Sequence, residues 1–224
     1  MNMDANPFAL AEFAENPEPR CPCLLVLDVS GSMSGERINQ LNMGLRAFEE
    51  ALKSDSLSAR RVEVGIITFG PVQVYQDFVG ATQFRAPTLE VEGATPMGEA
   101  IEAAIDLLRK RKNVYRQAGV SYYRPWIFLI TDDEPTDDTR NAAMAVLNGE
   151  ERKEFMFHAV GVEDANLDAL ARIAKRHPVK LKGLAFREMF AWLSSSLSAQ
   201  SRSNPGDAVA LVNPTAPDGW ATID

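Results

Sequence analysis

An aspartate and two serines stand directly after an apolar run. Residues 23–27 read Cys-Leu-Leu-Val-Leu, and Asp28, Ser30 and Ser32 follow at steps of two. A short apolar run is typical of a buried strand, which would bring these three side chains to the carboxyl edge of a sheet. Carboxylate and hydroxyl oxygens are ligands that hard divalent cations prefer. The segment therefore predicts one half of a cation site.

Thr95 and Asp132, which come later in the chain, predict the other half of the cation site. Thr95 stands in a Gly-Ala-Thr-Pro loop at the start of a helical pattern, and Asp132 ends the apolar run 126–131. Ligands of open α/β sheets bind at the carboxyl ends of the strands, so we expect both side chains beside Asp28. All five donors are oxygens, which favours Mg²⁺ or Mn²⁺, with Ca²⁺ as a further candidate.

The same residues also have a purely structural interpretation. In it, Asp28 and Ser30 accept hydrogen bonds from the backbone N–H groups of the next helix and only cap its start. A cap does not explain why two further oxygen donors, Thr95 and Asp132, stand at a helix start and at a strand end. The cation site is therefore the favoured interpretation.

An enzyme that uses the same pocket is the main alternative, because aspartyl-phosphate chemistry also places an aspartate at a strand end beside magnesium. Enzymes of the haloacid-dehalogenase type need DxD at the first strand, and this chain has Ser30 in place of the second aspartate. Phosphoacceptor domains of the receiver type need a lysine after the fifth strand, where residues 160–163 of this chain read Val-Gly-Val-Glu. A serine hydrolase would need GxSxG and a histidine base, but the chain has no such motif, and His158 and His177 lie in an apolar strand and a turn. We expect no enzyme and no catalytic residue, and keep magnesium-dependent phosphotransfer or hydrolysis as the alternative.

Composition limits the classes of partner. The 224 residues include 31 acidic and 23 basic side chains, for a net charge of -8. This charge disfavours nucleic acid and anionic membranes. The basic run 109–112 is interpreted as a complement to the dipole of a helix carboxyl end. No apolar run approaches the roughly twenty residues that a membrane span needs.

The chain ends and the cysteines point to a reducing compartment. Residues 1–20 carry several acids and no long apolar core, so we expect an irregular lead-in without a signal peptide, in a cytoplasmic protein. Cys21 and Cys23 lie two apart on one strand and point the same way, so we expect them to be reduced and packed. From about residue 200 to 224 the composition turns to Ser, Asn, Pro and Gly. This tail either is flexible or docks through Trp220 and Ile223.

Strand and helix patterns alternate between residues 21 and 199, which we take as one domain. Apolar residues at steps of three and four follow the first site segment and predict an amphipathic helix: Ile38, Leu41, Leu45, Phe48 and Leu52. Residues 62–69 and 72–78 predict an antiparallel hairpin at a sheet edge, and residues 137–147 predict a helix. The alternation predicts an α/β fold, a doubly wound and mostly parallel six-stranded sheet with one antiparallel edge strand and helices on both faces.

The order DxSxS, Thr-Pro loop and strand-terminal aspartate resembles the metal-ion-dependent adhesion site (MIDAS) of von Willebrand factor type A (vWA) domains. All five positions match: Asp28, Ser30, Ser32, Thr95 and Asp132. Further phrases look like the stand-alone bacterial TerY/YegL-like branch of that family: PEPRCPC at 17–23, FGPV at 69–72, TPMGEAI at 95–101, SYYRPW at 121–126 and WLSSS at 192–196.

The resemblance implies a Rossmann-like fold and a protein-binding adaptor. In the family, a partner's Glu or Asp completes the shell of the metal, and TerY-like proteins are linked to tellurite and chemical-stress resistance, often beside kinases and phosphatases. One departure is Asp133, where the family often has Gly. Aspartate tolerates the left-handed backbone that such a turn can require. With Glu134, Asp137 and Asp138 it predicts an acidic rim, which would oppose a strongly acidic partner.

Overall fold

The computed structural model describes residue 13 and residues 15–223. Its strands are β1 (Cys21–Asp28), β2 (Val62–Phe69), β3 (Gln73–Gly80), β4 (Trp126–Thr131), β5 (Met156–Gly161), β6 (Val179–Leu181) and β7 (Ala221–Thr222). These seven strands of the described chain form one sheet in the order β3-β2-β1-β4-β5-β6-β7. The sheet is parallel from β2 to β6, and β3 and β7 pair antiparallel at its two edges.

The helices are α1 (Glu36–Ser54), α2 (Ser58–Arg61), α3 (Met97–Ala118), α4 (Arg140–Glu151), α5 (Leu167–Ala171) and α6 (Phe186–Ser201), and a single 3-10 turn covers Gly31–Met33. Helices α1 and α6 cover one face of the sheet, and α3, α4 and α5 cover the other. The predicted amphipathic helix is α1, and its five apolar positions are buried. No helix of the described chain is long and apolar enough to cross a membrane.

Strand β1 is buried on both faces, as a central parallel strand must be. Cys21, Cys23, Leu25 and Leu27 belong to the core under α1 and α6, and its alternate residues face α3. Both cysteines are free, buried and on the same face, as their spacing predicts. Burial raises the pKa of both thiols, which keeps them protonated and unreactive.

The winding direction reverses between β1 and β4. Both strands pair in parallel, with Leu27 opposite Ile130. The connection from β1 runs through α1 on one face and the connection into β4 runs through α3 on the other. A crevice opens outside the strand ends at such a reversal. The doubly wound prediction is therefore confirmed, and the reversal lies where Asp28 and Asp132 end their strands.

The sheet has seven strands where the sequence predicts six, and a second antiparallel edge. The extra strand β7 comes from the tail and pairs with β6. Trp220, just before it, is buried and its carbonyl accepts a hydrogen bond from the N–H of Lys182 at 2.9 Å. Ile223 stays exposed. The tail therefore docks through Trp220 and through main-chain pairing. A strand of two residues is too short to be predicted from a sequence pattern.

Two local predictions are wrong. Helix α4 begins at Arg140 rather than at residue 137, because the Asp137 carboxylate instead accepts hydrogen bonds from the N–H groups of Gly98 and Glu99 at the start of α3. The basic run 109–112 is also not at a helix end, since α3 continues to Ala118. Within it, Arg111 pairs with buried Glu63.

Candidate metal centre

Asp28 ends β1 with both carboxylate oxygens engaged. Oδ1 accepts the N–H of Ser30 at 2.8 Å, and Oδ2 accepts the hydroxyl of Thr131 at 2.5 Å. Burial raises the pKa of Asp28 to about 6, against the hydrogen bonds from Ser30 and Thr131, which lower it. A cation held beside it would favour the charged form. The capping interpretation is not observed, because among the described residues no side chain caps the turn Gly31–Met33 or the start of α1.

A row of three oxygens runs from the β1 loop to the end of β4. The Ser30 and Ser32 hydroxyls lie 2.9 Å apart, and the Ser32 hydroxyl donates to Asp132 Oδ1 at 2.8 Å. Ser32 is half-buried, whereas Ser30 and Asp132 are buried beneath it. The row therefore meets solvent on the Ser32 side. The structure brings four of the predicted residues into one connected network.

The loop that carries Thr95 is tied by its backbone to Thr136 and to the turn after β1. The Thr95 N–H donates to the Thr136 hydroxyl at 3.1 Å, and its carbonyl accepts the N–H of Thr136 at 2.9 Å. Two residues earlier, the Gly93 carbonyl accepts the N–H of Gly31 at 3.2 Å, which ties this loop to the turn between the two serines. The Thr95 hydroxyl itself is hydrogen-bonded to no described residue.

The donor set fits a small hard cation. Six oxygens at about 2.1 Å from Mg²⁺ leave neighbouring oxygens about 3.0 Å apart. The hydrogen-bonded spacings of 2.9 and 2.8 Å along Ser30, Ser32 and Asp132 are compatible with two edges of such a shell. In the described chain, no three His, Cys, Asp or Glu side chains are clustered to hold a metal. A site here therefore depends on hydroxyls, which suits magnesium or manganese better than softer metals.

Arg37 is a residue of this site that the sequence analysis missed. Its Nη1 donates to Asp132 Oδ2 at 2.7 Å and to the Ser32 carbonyl at 3.0 Å. Its Nε donates to Glu163, in the loop after β5. Arg37 lies in the first turn of α1, five residues after Ser32, and only the folded topology places it against β4 and β5. Its position just after DxSxS was the one available signal.

The acidic rim is smaller than the sequence predicts. Asp133 and Glu134 are exposed beside the site, but Asp137 caps α3 and Asp138 pairs with Arg140 at 2.6 Å. That pair and its hydrogen bonds lower the pKa of Asp138. Asp133 needs no left-handed backbone, because the non-glycine residues with positive φ in the described chain are Lys153 and Glu163.

The two histidines lie where the sequence predicts. His158 is half-buried and stacks on Phe128 with ring centroids 4.7 Å apart, and His177 is exposed. Burial lowers the pKa of His158 to about 4, so it is neutral at physiological pH. It belongs to the packed aromatic group under α6.

Solved structures similar to this one contain the same fold at low sequence identity. Proximal thread matrix protein 1 from the mussel byssus, with a zinc-occupied MIDAS motif, has a TM-score of 0.54 and 13% identity, over 82% of this chain and 49% of that one. The pilus adhesin SpaC from Lactobacillus rhamnosus GG, in an open conformation, has a TM-score of 0.62 and 14% identity, over 84% and 30%. The vWF domain of a type V pili tip protein from Porphyromonas gingivalis has a TM-score of 0.58 and 10% identity, over 85% and 99%.

These likenesses establish the fold. This chain spans about half the length of the byssus protein and under a third of that of the pilus adhesin. Among curated proteins, none matches it. The family model of the von Willebrand factor type A domain matches residues 24–189, which is most of the chain. The chain therefore belongs to the von Willebrand factor type A domain family.

Proposed function

We propose that this chain is a metal-dependent protein-binding module. In this proposal, Asp28, Ser30, Ser32, Thr95 and Asp132 hold one divalent cation of the magnesium type, directly or through water. A carboxylate from a partner protein then completes the coordination. The observation that carries the proposal is the row from Ser30 through Ser32 to Asp132, which brings oxygens from the ends of β1 and β4 into contact at the carboxyl edge of the sheet.

Three of the five donors are neutral hydroxyls, which supports an external acid as the last ligand. Hydroxyls fix the position of a cation without cancelling its charge, so among the five donors only Asp28 and Asp132 offset it. The half-buried Ser32 marks the side from which a partner can approach. The exposed Asp133 and Glu134 would then disfavour partners with a second acid nearby.

The biological setting is a finer part of the same proposal. The phrases shared with the TerY/YegL-like branch suggest a cytoplasmic bacterial adaptor in tellurite or chemical-stress resistance, with kinase or phosphatase proteins as partners. No nucleic acid or membrane is proposed as a partner, in keeping with the net charge of -8. We further propose residues 21–199 as the vWA domain, preceded by the lead-in 1–20 and followed by the tail 200–224.

The geometry of Asp28 argues against the enzymatic alternative. A phosphoacceptor needs a carboxylate oxygen that can reach the substrate, yet both oxygens of Asp28 accept hydrogen bonds from Ser30 and Thr131, and the side chain is fully buried. We expect no phosphate on Asp28 after incubation with acetyl phosphate and magnesium. A magnesium-dependent adduct found by mass spectrometry would favour the enzyme.

Calorimetry with Mn²⁺ and Mg²⁺ tests the metal site. We expect one ion per wild-type chain and no uptake by Asp28→Ala, with the fold retained. Thr95→Ala should weaken uptake by about tenfold or more, because one of the five proposed oxygen ligands is lost. Thr88→Ala is the matched control, since Thr88 is an exposed threonine of the same connecting segment.

Capture of partners from the native cell extract, with and without chelator, tests the binding role. Partners should be lost in chelator and on the Thr95→Ala variant, and kept on Thr88→Ala. A purified partner that bound equally well to all of these would make the metal incidental to recognition.

A further inference from the structure

The guanidinium of Arg37 connects three elements around the metal centre. Arg37 belongs to α1, Asp132 follows β4, and Glu163 and Asp164 follow β5. Nη1 lies 2.7 Å from Asp132 Oδ2, Nε donates to Glu163, and Nη2 lies 3.4 Å from Asp164. One cation therefore faces three carboxylates, of which only Asp132 belongs to the proposed metal ligands.

These three carboxylates do not share the charge of Arg37 equally. The Asp132 side chain is 0% exposed, against 36% for Glu163 and 94% for Asp164. Solvent screens exposed pairs strongly and buried pairs much less, so Asp164 counts little and the charge of Arg37 is divided between Asp132 and Glu163. Glu163 has a φ of 46°, a left-handed backbone that is uncommon for glutamate. The fold thus holds Glu163 against Arg37 at some conformational cost.

Charge counting shows why this matters. Asp28 and Asp132 together carry two negative charges, which would balance a divalent cation and leave little attraction for a third carboxylate. We propose that Arg37 is a specificity-determining residue that offsets Asp132, so that the loaded site repels an anionic partner less than it would without Arg37. The inference rests on the proposed function, because it assumes a cation among the five donors.

The proposal predicts effects of opposite sign on the two ligands. Removal of the charge of Arg37 should strengthen cation binding and weaken carboxylate binding. A residue that only held Asp132 in place would behave differently. Its loss would weaken cation binding and would leave carboxylate binding unchanged or weaker.

Water-proton relaxation of the Mn²⁺-loaded full chain measures both affinities. Mn²⁺ titration gives the metal affinity, and acetate titration reports displacement of water from the bound ion. In Arg37→Gln we expect about threefold tighter Mn²⁺ and about threefold weaker acetate binding, the size of one partly screened charge. Arg46→Gln is the matched control, because it removes the same charge from α1 beyond the site, where Arg46 lies 3.4 Å from Thr88.

Glu163→Gln is the second variant and should give the reverse result. With Glu163 neutral, the charge of Arg37 is no longer shared with Glu163 and offsets Asp132 more strongly. Mn²⁺ should then bind more weakly and acetate more tightly. Unchanged affinities in both variants, or a joint loss in Arg37→Gln, would overturn the inference alone. A wild-type chain that took up no Mn²⁺ would overturn the proposed metal site, and this inference with it.

Discussion

The carboxylate of Asp28 is kept in place by one hydroxyl from the neighbouring strand. Thr131 is fully buried, and its Oγ1 donates to Asp28 Oδ2 at 2.5 Å. Valine has nearly the same shape but cannot donate. In metal-free protein, Thr131→Val should therefore lower the free energy of unfolding by about 1–3 kcal/mol, because a buried carboxylate oxygen loses its partner. Urea denaturation in chelator measures this loss.

A second threonine in the same sheet provides the control. Thr68 on β2 is also buried, but its Oγ1 has no hydrogen-bond partner among the described residues. Thr68→Val should be neutral or stabilising, because it removes an unsatisfied polar atom. Equal losses in both variants would mean that the substitution itself, rather than the bond to Asp28, sets the cost.

The sequence predicts the oxygen donors better than the groups that hold them. Asp28 and Asp132 can be placed together because each ends an apolar run, and such runs become neighbouring parallel strands. Thr131 is hidden, because within its run it looks like one more strand residue. Arg37 is hidden for another reason: its partner Asp132 lies 95 residues away, and only tertiary structure selects one arginine among many. Local patterns carry no such information.

Helices α1 and α6 pack closely because α1 has a glycine at the contact. A Cβ on Gly44 would lie 2.7 Å from a ring carbon of Phe190 and 3.0 Å from Cβ of Phe186. An exposed helical glycine gains about 1 kcal/mol on replacement by alanine. Here the clash should reverse the sign, so we expect Gly44→Ala to lose about 1 kcal/mol and Gly44→Val more. Thermal or urea denaturation measures both.

The neighbouring Met43 serves as the control for this contact. Its side chain is exposed, so Met43→Ala should stay within about 0.5 kcal/mol of the wild type. A gain in stability for Gly44→Ala would show that α6 can move away without cost, and that the two helices are not tightly packed.

Long elements with clear periodicity could be predicted, and short ones could not. The apolar steps of α1 and the buried run of β1 identify both elements, because each buries a continuous face. Strand β7 has two residues and depends on the edge that β6 offers. The start of α4 depends on Asp137, whose carboxylate binds the start of another helix. Such boundaries are decided by tertiary contacts.

The molecule as a whole combines a polar site at the carboxyl edge of the sheet with an apolar core on both faces of the sheet. Hydroxyls, carboxylates and Arg37 gather where β1 and β4 end, whereas the layers beneath α1, α6 and α3 are apolar. The site therefore stands on strands buried on both faces, and substitutions at its rim should leave the fold intact. His158, whose ring stacks on Phe128, is an ionisable group packed against this apolar part, and it makes the stability of the fold depend on pH.

Burial lowers the pKa of His158 to about 4, with Arg176 and Arg124 lowering it further and Glu150 opposing them. An unfolded histidine has a pKa of about 6.5, so the unfolded chain binds more protons between pH 6.5 and 4. The contribution of His158 to the stability should therefore fall by about 2–3 kcal/mol as the pH drops through this window, whereas Asp28, whose pKa is raised to about 6 by burial, contributes in the opposite direction. His158→Phe keeps the ring on Phe128 and should remove this part of the slope, whereas exposed His177→Gln should keep it. The difference between urea denaturation curves of wild type and variant across that range isolates His158 from the carboxylates, and an unchanged slope would show that the buried ring does not titrate with the fold.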